Sequence, residues 1–449
     1  MKSYILEKVG KLPLPVNNLL MGLNAFPRLI YGNKYSSLFH LGRKEGEYNN
    51  DSDLISMVNY CIENVPFYRN YRKISTRQEF EEQFTFIDKD TVSNNFEQFI
   101  SISSDLSNYE IVTTGGTSGN PLKLYVPKDR YIVELSTMHR MWSRVGFNHH
   151  VRGVIRNKRL APDVDYIINP ITKEVIFDGF RLNSEYYRVI YNVLKKMGIA
   201  FIHAYPSNAY EFSRFLYDNK LDVSFINSFL SGSENIYSYQ KEFIRDKLGI
   251  DFYNWYGHSE KLVLGGYCEH SDVYHIEPRY GYFELINQDG KPIETVGETG
   301  EIVGTTLNNW GMPLIRYKTD DYAEYVGDFC TSCGRRLPLI KNIKGRWSGS
   351  VIYGADGTTT TTTALNFHDD LYLYISGIQY VQREKGKLEI LVMKGMGFKD
   401  EHDRRLYQYY KSKFSENTII EIKYVNQLIK KPNGKFVELI SEVDDENNH

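Results

Sequence analysis

The sequence predicts an α/β fold, with a large N-terminal domain of mixed sheets and helices and a small α+β C-terminal domain. Three observations carry this. Between Glu110 and Lys261 short strand-like runs alternate with helical ones, the βα pattern of a largely parallel sheet. From about Gly345 onward, strand-like runs gather around one amphipathic helix. At 449 residues the chain is long enough for two or three separate cores.

Taken in order, residues 1 to about 110 read as helices joined by polar connections. The apolar run Leu19-Leu20-Met21-Gly22-Leu23 lies among Pro13, Pro15, Asn17, Asn18 and Pro27. It is too short and broken for a signal peptide or an integral membrane segment. A core-packing helix is expected there, with a peripheral membrane contact through Leu19 to Tyr31 as the alternative. Asp51 to Asn64 spaces Leu54, Ile55, Val58 and Ile62 at helical intervals, and Arg77 to Ile100 is a charged segment of helical pattern.

Leu122–Tyr125 and Phe201–Ala204 read as strands; Ala209–Asn219 and Ile236–Leu248 read as helices. Tyr282 to Thr306 is strand, turn, strand, with Asp289-Gly290 as the hairpin turn. In the C-terminal part the strands are Gln379–Arg383, Leu388–Met393 and Glu421–Tyr424, and the helix is Asp400–Phe414. The acidic tail from Glu442 is expected to be disordered. The run Thr358 to Thr363 carries no chemistry that its composition names.

A net charge of −2 without a Lys/Arg block argues against a nucleic-acid partner. Four cysteines, Cys61, Cys268, Cys330 and Cys333, are too few for a disulfide-built protein, so a reducing cytoplasm is expected.

The richest local signal is Thr113-Thr114-Gly115-Gly116-Thr117-Ser118-Gly119-Asn120-Pro121. Glycines let backbone N–H groups approach phosphate oxygens and hydroxyls add donors, so this loop suits a polyphosphate. It lacks the Gly-Lys-Ser/Thr ending of a Walker loop. Five further segments follow: Ser231-Gly232-Ser233-Glu234, Trp255-Tyr256-Gly257-His258-Ser259-Glu260, Arg316 to Asp321, Gly345-Arg346 and Asn433-Gly434-Lys435. Each alone also fits a bland role, as a turn, a core aromatic or a solvated acid.

This order resembles the adenylate-forming ligases, the superfamily of acyl-CoA synthetases, over about residues 105 to 440. Within it the likeness is to the phenylacetate–CoA ligase branch, including homologues in bacterial capsule and surface-polysaccharide gene clusters. The resemblance implies ATP-dependent activation of a carboxylic acid, with pyrophosphate released. The acyl group then passes to the thiol of CoA or to an amine, such as that of a sugar or nucleotide-sugar. It implies a large domain over residues 1–344 and a small mobile domain over 345–449. Thr113 to Gly119, with Ser233, Glu234, Gly257 and Ser259, would surround ATP. Tyr256 would face adenine, Asp321 would take the ribose hydroxyls, and Glu260 would hold Mg²⁺. Arg346 sits at the domain junction, and Lys435 looks like the lysine that swings in for adenylation. Asp320 replaces the family's usual glycine, and Asn120 and Ser348 also depart from its pattern.

Cys330-x-x-Cys333 before Gly334 resembles a metal knuckle. With Cys268 and His275, in register with a similar pair in that branch, it implies a closed structural Zn²⁺ site. The alternative is four unmetallated side chains. His203, after a strand, is a candidate for the acyl pocket. Two other readings of the whole chain are a non-catalytic nucleotide- or acyl-binding scaffold in polysaccharide assembly and, more weakly, a zinc-dependent enzyme.

Overall fold

The structure is a computed structural model. It describes residues 26–41, 49–113, 122–156, 158–234, 238–344, 351–365, 371, 374–395, 397–429 and 438–443.

Helix α1 (Phe26–Leu41) sets Tyr31, Tyr35 and Phe39 against Ile132, so this part of the N-terminal segment packs on protein. Helix α2 (Asp51–Asn64) has the predicted bounds, with Leu54, Met57, Val58 and Cys61 buried at helical spacing. The helical pattern over Arg77 to Ile100 breaks into α3 (Arg77–Gln83), α4 (Lys89–Asn94) and a 3₁₀ turn. The break has a tertiary cause. Ile87 is buried, its N–H donates to the Arg316 carbonyl (3.1 Å), and its own carbonyl accepts from the Lys318 N–H (2.8 Å). The Asp88 carboxylate then caps α4 by accepting from the Thr91 N–H.

Strands β1 (Tyr109–Thr113) and β2 (Lys123–Pro127) form an antiparallel pair flanking residues 114–121. After α5 (Arg130–Trp142) come β3 (Arg152–Ile155), β4 (Tyr166–Asn169) and β5 (Glu174–Phe177). Next are α6 (Ser184–Met197), β6 (Phe201–Ala204), α7 (Pro206–Asp218), β7 (Ser228–Gly232), α8 (Ser238–Glu242) with a π turn, and β8 (Asp251–Gly257). Helix α6 shows why this segment is helical. The Asn183 side chain caps its start, Gly198 closes it at φ 63°, and Tyr186, Tyr187, Ile190, Tyr191 and Leu194 are buried. Then follow β9 (Leu264–Tyr267), β10 (Tyr274–Ile276), β11 (Gly281–Ile286), β12 (Thr299–Thr306), β13 (Tyr317–Gly327) and β14 (Leu339–Lys344). Asp289-Gly290 does lie in a tight turn, with Gly290 at φ 74°, although the main partner of β11 is the more distant β12.

Twelve of these strands make one sheet in the order β11-β12-β13-β14-β10-β9-β8-β7-β6-β3-β5-β4. The block β5, β3, β6, β7, β8 is parallel, so these strands end at one edge of the sheet. Winding reverses between β3 and β6, which opens a crevice beyond their C-terminal ends.

In the C-terminal part, β15 (Val351–Tyr353) pairs with β16 (Thr359–Thr361), which gives the threonine run a structural use. The remaining strands, β17 (Ile375–Glu384), β18 (Lys387–Lys394), β19 (Ile419–Tyr424) and β20 (Leu439–Ser441), form a sheet ordered β19-β18-β17-β20 with α9 (Asp400–Lys411). This is the predicted α+β unit. Its core includes Leu406, Tyr410 and Phe414 and is shared with Phe180 and Tyr205 of the larger part. The Lys413 ammonium lies 4.5 Å from the Phe180 ring centre, and an Arg159 N–H donates to the Phe414 carbonyl (2.8 Å). Among the described residues no helix is long and apolar enough to cross a membrane.

Candidate active site

Two crossed hydrogen bonds define the site. The Tyr256 hydroxyl, at the end of β8, donates to the Asp321 carboxylate on β13 (2.7 Å). The Tyr317 hydroxyl, at the start of β13, donates to the Glu260 carboxylate just after β8 (3.1 Å). Strands β14, β10 and β9 separate β13 from β8 in the sheet. A flat sheet would hold them roughly 19 Å apart at about 4.8 Å per strand, so the crossed contacts require the sheet to curl around the site.

The electrostatics follow from burial. Asp321 is 3% exposed. Desolvation, and then the Asp321 carboxylate, push the Tyr256 hydroxyl well above its ordinary pKa, so it remains a donor. The second oxygen of Glu260 meets Nδ1 of His258 (3.0 Å), while Nε2 of His258 takes the Val263 N–H (3.1 Å). The Val263 bond makes Nε2 the acceptor, so Nδ1 carries the proton given to Glu260. Both oxygens of Glu260 are thus engaged by protein donors. Next to this group, Lys261 pairs with Glu134 (2.6 Å). Although burial opposes it, the Lys261 ammonium holds Glu134 below its ordinary pKa.

Asp320 stands at φ 58°, the left-handed region in which glycine is least strained and Asp is tolerated. The strand bulges here opposite Ile302. Asp320 is exposed, whereas the next residue, Asp321, is buried. The loss of glycine therefore sends the extra carboxylate toward solvent rather than alongside Asp321.

Ser233 and Glu234 follow β7. Ser233 sits at φ 68° and its hydroxyl accepts from Arg156 (3.1 Å); the Glu234 carboxylate accepts from the Ser207 hydroxyl (2.8 Å) and N–H (3.3 Å). Glycine is required at 232, where a Cβ would fall 2.4 Å from the Trp255 indole. At Gly257 a Cβ would meet the Leu264 side chain at 2.8 Å. Ser259 lies in the turn between Gly257 and Glu260, and Thr113 is the last residue of β1. Thr114 to Gly119, Arg346 and Lys435 fall outside the described residues. Sequence reasoning quoted His258 inside its segment without giving it a role, and it missed Tyr317 and Arg156. The reach of Tyr317 depends on the curled sheet, and a single arginine after a strand has no local signature.

A second cluster lies at the β9–β10 hairpin. Side-chain ligand atoms of Cys268, His275, Cys330 and Cys333 all lie within 4.8 Å of one another. The sulfurs of Cys268 and Cys330 are 3.8 Å apart, and Cys333 Sγ is 3.7 Å from His275 Nε2. Zn–S bonds of about 2.3 Å at tetrahedral angles place two sulfurs about 3.8 Å apart, so the donor set fits Zn²⁺. Gly334, at φ 78°, makes the knuckle turn.

Comparison with known proteins agrees with this geometry. Residues 364–442 match the family model described as the CapK C-terminal domain. Over 367 residues the chain is 21% identical to Protein CapK of Staphylococcus aureus, spanning 79% of this chain and 78% of that protein. The fold is similar to a 2-hydroxyisobutyryl-CoA ligase solved with 2-HIB-AMP and CoA in the thioesterification state. The TM-score is 0.57 at 16% identity, covering 87% of this chain and 88% of that one. An open conformation of the same ligase gives 0.54 at 15% identity, over 88% and 90%. The mixed α/β architecture is that of the adenylate-forming ligases.

Proposed function

We propose that this chain is an adenylate-forming ligase that activates a carboxylic acid with ATP. The observation that carries the reading is the crossed pair Tyr256–Asp321 and Tyr317–Glu260. It sets an aromatic ring and two buried carboxylates side by side beyond the parallel strands, where an α/β sheet receives its ligand. In the reaction an oxygen of the acid attacks the α-phosphorus, the bond to the pyrophosphate oxygen breaks, and pyrophosphate leaves. The protein's part is positioning and charge stabilisation.

Asp321, held by Tyr256, would accept from the ribose hydroxyls, so the Tyr256 ring would lie beside the base. Glu260, aimed by Tyr317 and His258, would face the phosphates with the loop Thr113 to Gly119. Glu260 would also hold Mg²⁺, which neutralises phosphate charge when bound. Ser233, Glu234, Gly257 and Ser259 complete the wall. Arg346 and Lys435 belong to the junction and to the small domain, taken as 345–449 against 1–344, and Lys435 would bridge the carboxylate and the α-phosphate. Cys268, His275, Cys330 and Cys333 would hold a structural Zn²⁺ that ties the β9–β10 hairpin to the loop before β14. The likeness to Protein CapK and to the polysaccharide-cluster homologues supports a sugar amine as acyl acceptor; the ligase likeness supports CoA.

Lys435→Ala tests the reading. A ligase should lose adenylation by more than about 100-fold, since a positioned charge at a transition state contributes about that much. It should keep its ATP affinity within about threefold. Undiminished adenylation in the variant would refute the assigned role.

A further inference from the structure

The crevice at the winding reversal holds a charge that the site above does not use. Arg156 follows β3, Tyr205 follows β6 and Ser233 follows β7, so three adjacent parallel strands deliver them to one edge. The Arg156 guanidinium lies over the Tyr205 ring at 4.4 Å. One of its N–H groups donates to Nε2 of His203 (2.8 Å) and another to the Ser233 hydroxyl (3.1 Å). Its Nε is fully buried with no hydrogen-bond partner. Among the described residues no carboxylate lies within ion-pair distance of it. Glu234, the acid in the adjoining loop, is engaged by Ser207 instead.

His203 does not compensate this charge. Burial, reinforced by the neighbouring Arg156, keeps its pKa well below the ordinary histidine value, so the imidazole is neutral and accepts. The cluster therefore presents one fixed guanidinium, braced on three sides, with its counter-ion missing. An arginine braced in this way is pre-organised to take a planar oxyanion through two parallel hydrogen bonds. Partly desolvated and unpaired, it favours a bound anion more strongly than a solvated arginine would.

We infer that Arg156 selects the acid: the carboxylic acid activated here carries a second anionic group, carboxylate or phosphate, which Arg156 binds while the first carboxyl points toward Glu260 and the nucleotide. Arg156 is three strands from Tyr256 in the sheet, roughly 14 Å at about 4.8 Å per strand. That separation leaves room for a short linker between the two acidic groups. The inference rests on the ligase reading and adds the substrate class to it.

The test compares acids matched in length but differing in the distal group: glutarate against pentanoate, and 3-phosphonopropionate as the phosphate-like member, extended over chains of three to six carbons. Binding is read without turnover, by fluorescence of Trp142, whose ring lies 5.2 Å from that of His203, and turnover by pyrophosphate exchange. The wild type should bind a dianionic member at least about tenfold more tightly than its monoanionic partner. Arg156→Gln should abolish that preference, and Arg156→Lys should restore part of it with the melting temperature unchanged. Equal binding of both members of every pair, no binding of any dianionic probe, or an unchanged preference in Arg156→Gln overturns the inference. The two readings fail separately. A preference dependent on Arg156 without exchange for any acid would remove the ligase and keep the site. Exchange confined to monoanionic acids and indifferent to Arg156 would do the reverse.

Discussion

Replacing Tyr256 by Phe isolates the contact on which the nucleotide site turns. The ring stays, so the apolar face beside the base is unchanged, and only the hydroxyl that donates to Asp321 at 2.7 Å is lost. Asp321 is 3% exposed, so water cannot freely replace the donor. A hydrogen bond to a charged group contributes about 1.5–3 kcal/mol, equivalent to roughly 10- to 150-fold in an equilibrium constant. The proposed ribose contact depends on the rotamer that this bond fixes, so ATP affinity should fall by an amount within that range. Burial and Asp321 keep the Tyr256 hydroxyl protonated well beyond neutral pH. The deficit should therefore be the same from pH 6 to pH 9. Equilibrium binding of ATP to wild type and variant, with unfolding monitored alongside, checks both statements. An affinity within about twofold of wild type, or a deficit that appears only at high pH, would refute the reasoning.

Metal analysis should find one zinc per chain, and chelation or Cys330→Ser should lower the melting temperature before adenylation is lost, since the cluster binds hairpin to loop rather than substrate. Absence of zinc, or a melting temperature indifferent to chelation, would contradict the structural site. At the seam with the C-terminal part, burial, with Arg159 and Lys158 nearby, lowers the Lys413 pKa from 10.5 to about 8. The unfolded chain then binds a proton that the folded one does not between about pH 8 and 10.5, so stability should rise with pH across that window. The gain should be about 1–3 kcal/mol after allowing for solvent screening, and Lys413→Met should abolish it. A flat stability profile in the wild type would count against the buried ammonium.

Much of the fold was legible because its signals are local. Asp51 to Asn64 and Phe201 to Ala204 form the elements their patterns predict, with the same bounds. Residues 77–100 were not legible, because the pairing of Ile87 with β13 is set by a strand more than two hundred residues away. The site divides in the same way. Tyr256, Glu260 and Asp321 were named from their segments, but the crossing that joins them depends on a curled sheet that no local pattern encodes. Asp320 illustrates the opposite error. Its side chain suggested a charge near the ribose, while the left-handed backbone at that residue turns it outward. Cys268, His275, Cys330 and Cys333 are a case in which spacing sufficed, because ligand chemistry restricts residue type as well as distance.

The most direct test of the central claim is carboxylate-dependent exchange of labelled pyrophosphate into ATP, run against aryl, fatty, hydroxy, amino and dianionic acids. Adenylation is reversible at the enzyme, so exchange that requires both an acid and an intact Lys435 would establish the first half-reaction and name the donor. The account predicts such exchange with at least one acid. Bound MgATP with no exchange across the panel would contradict it and leave the chain as a nucleotide-binding protein without the ligase's chemistry.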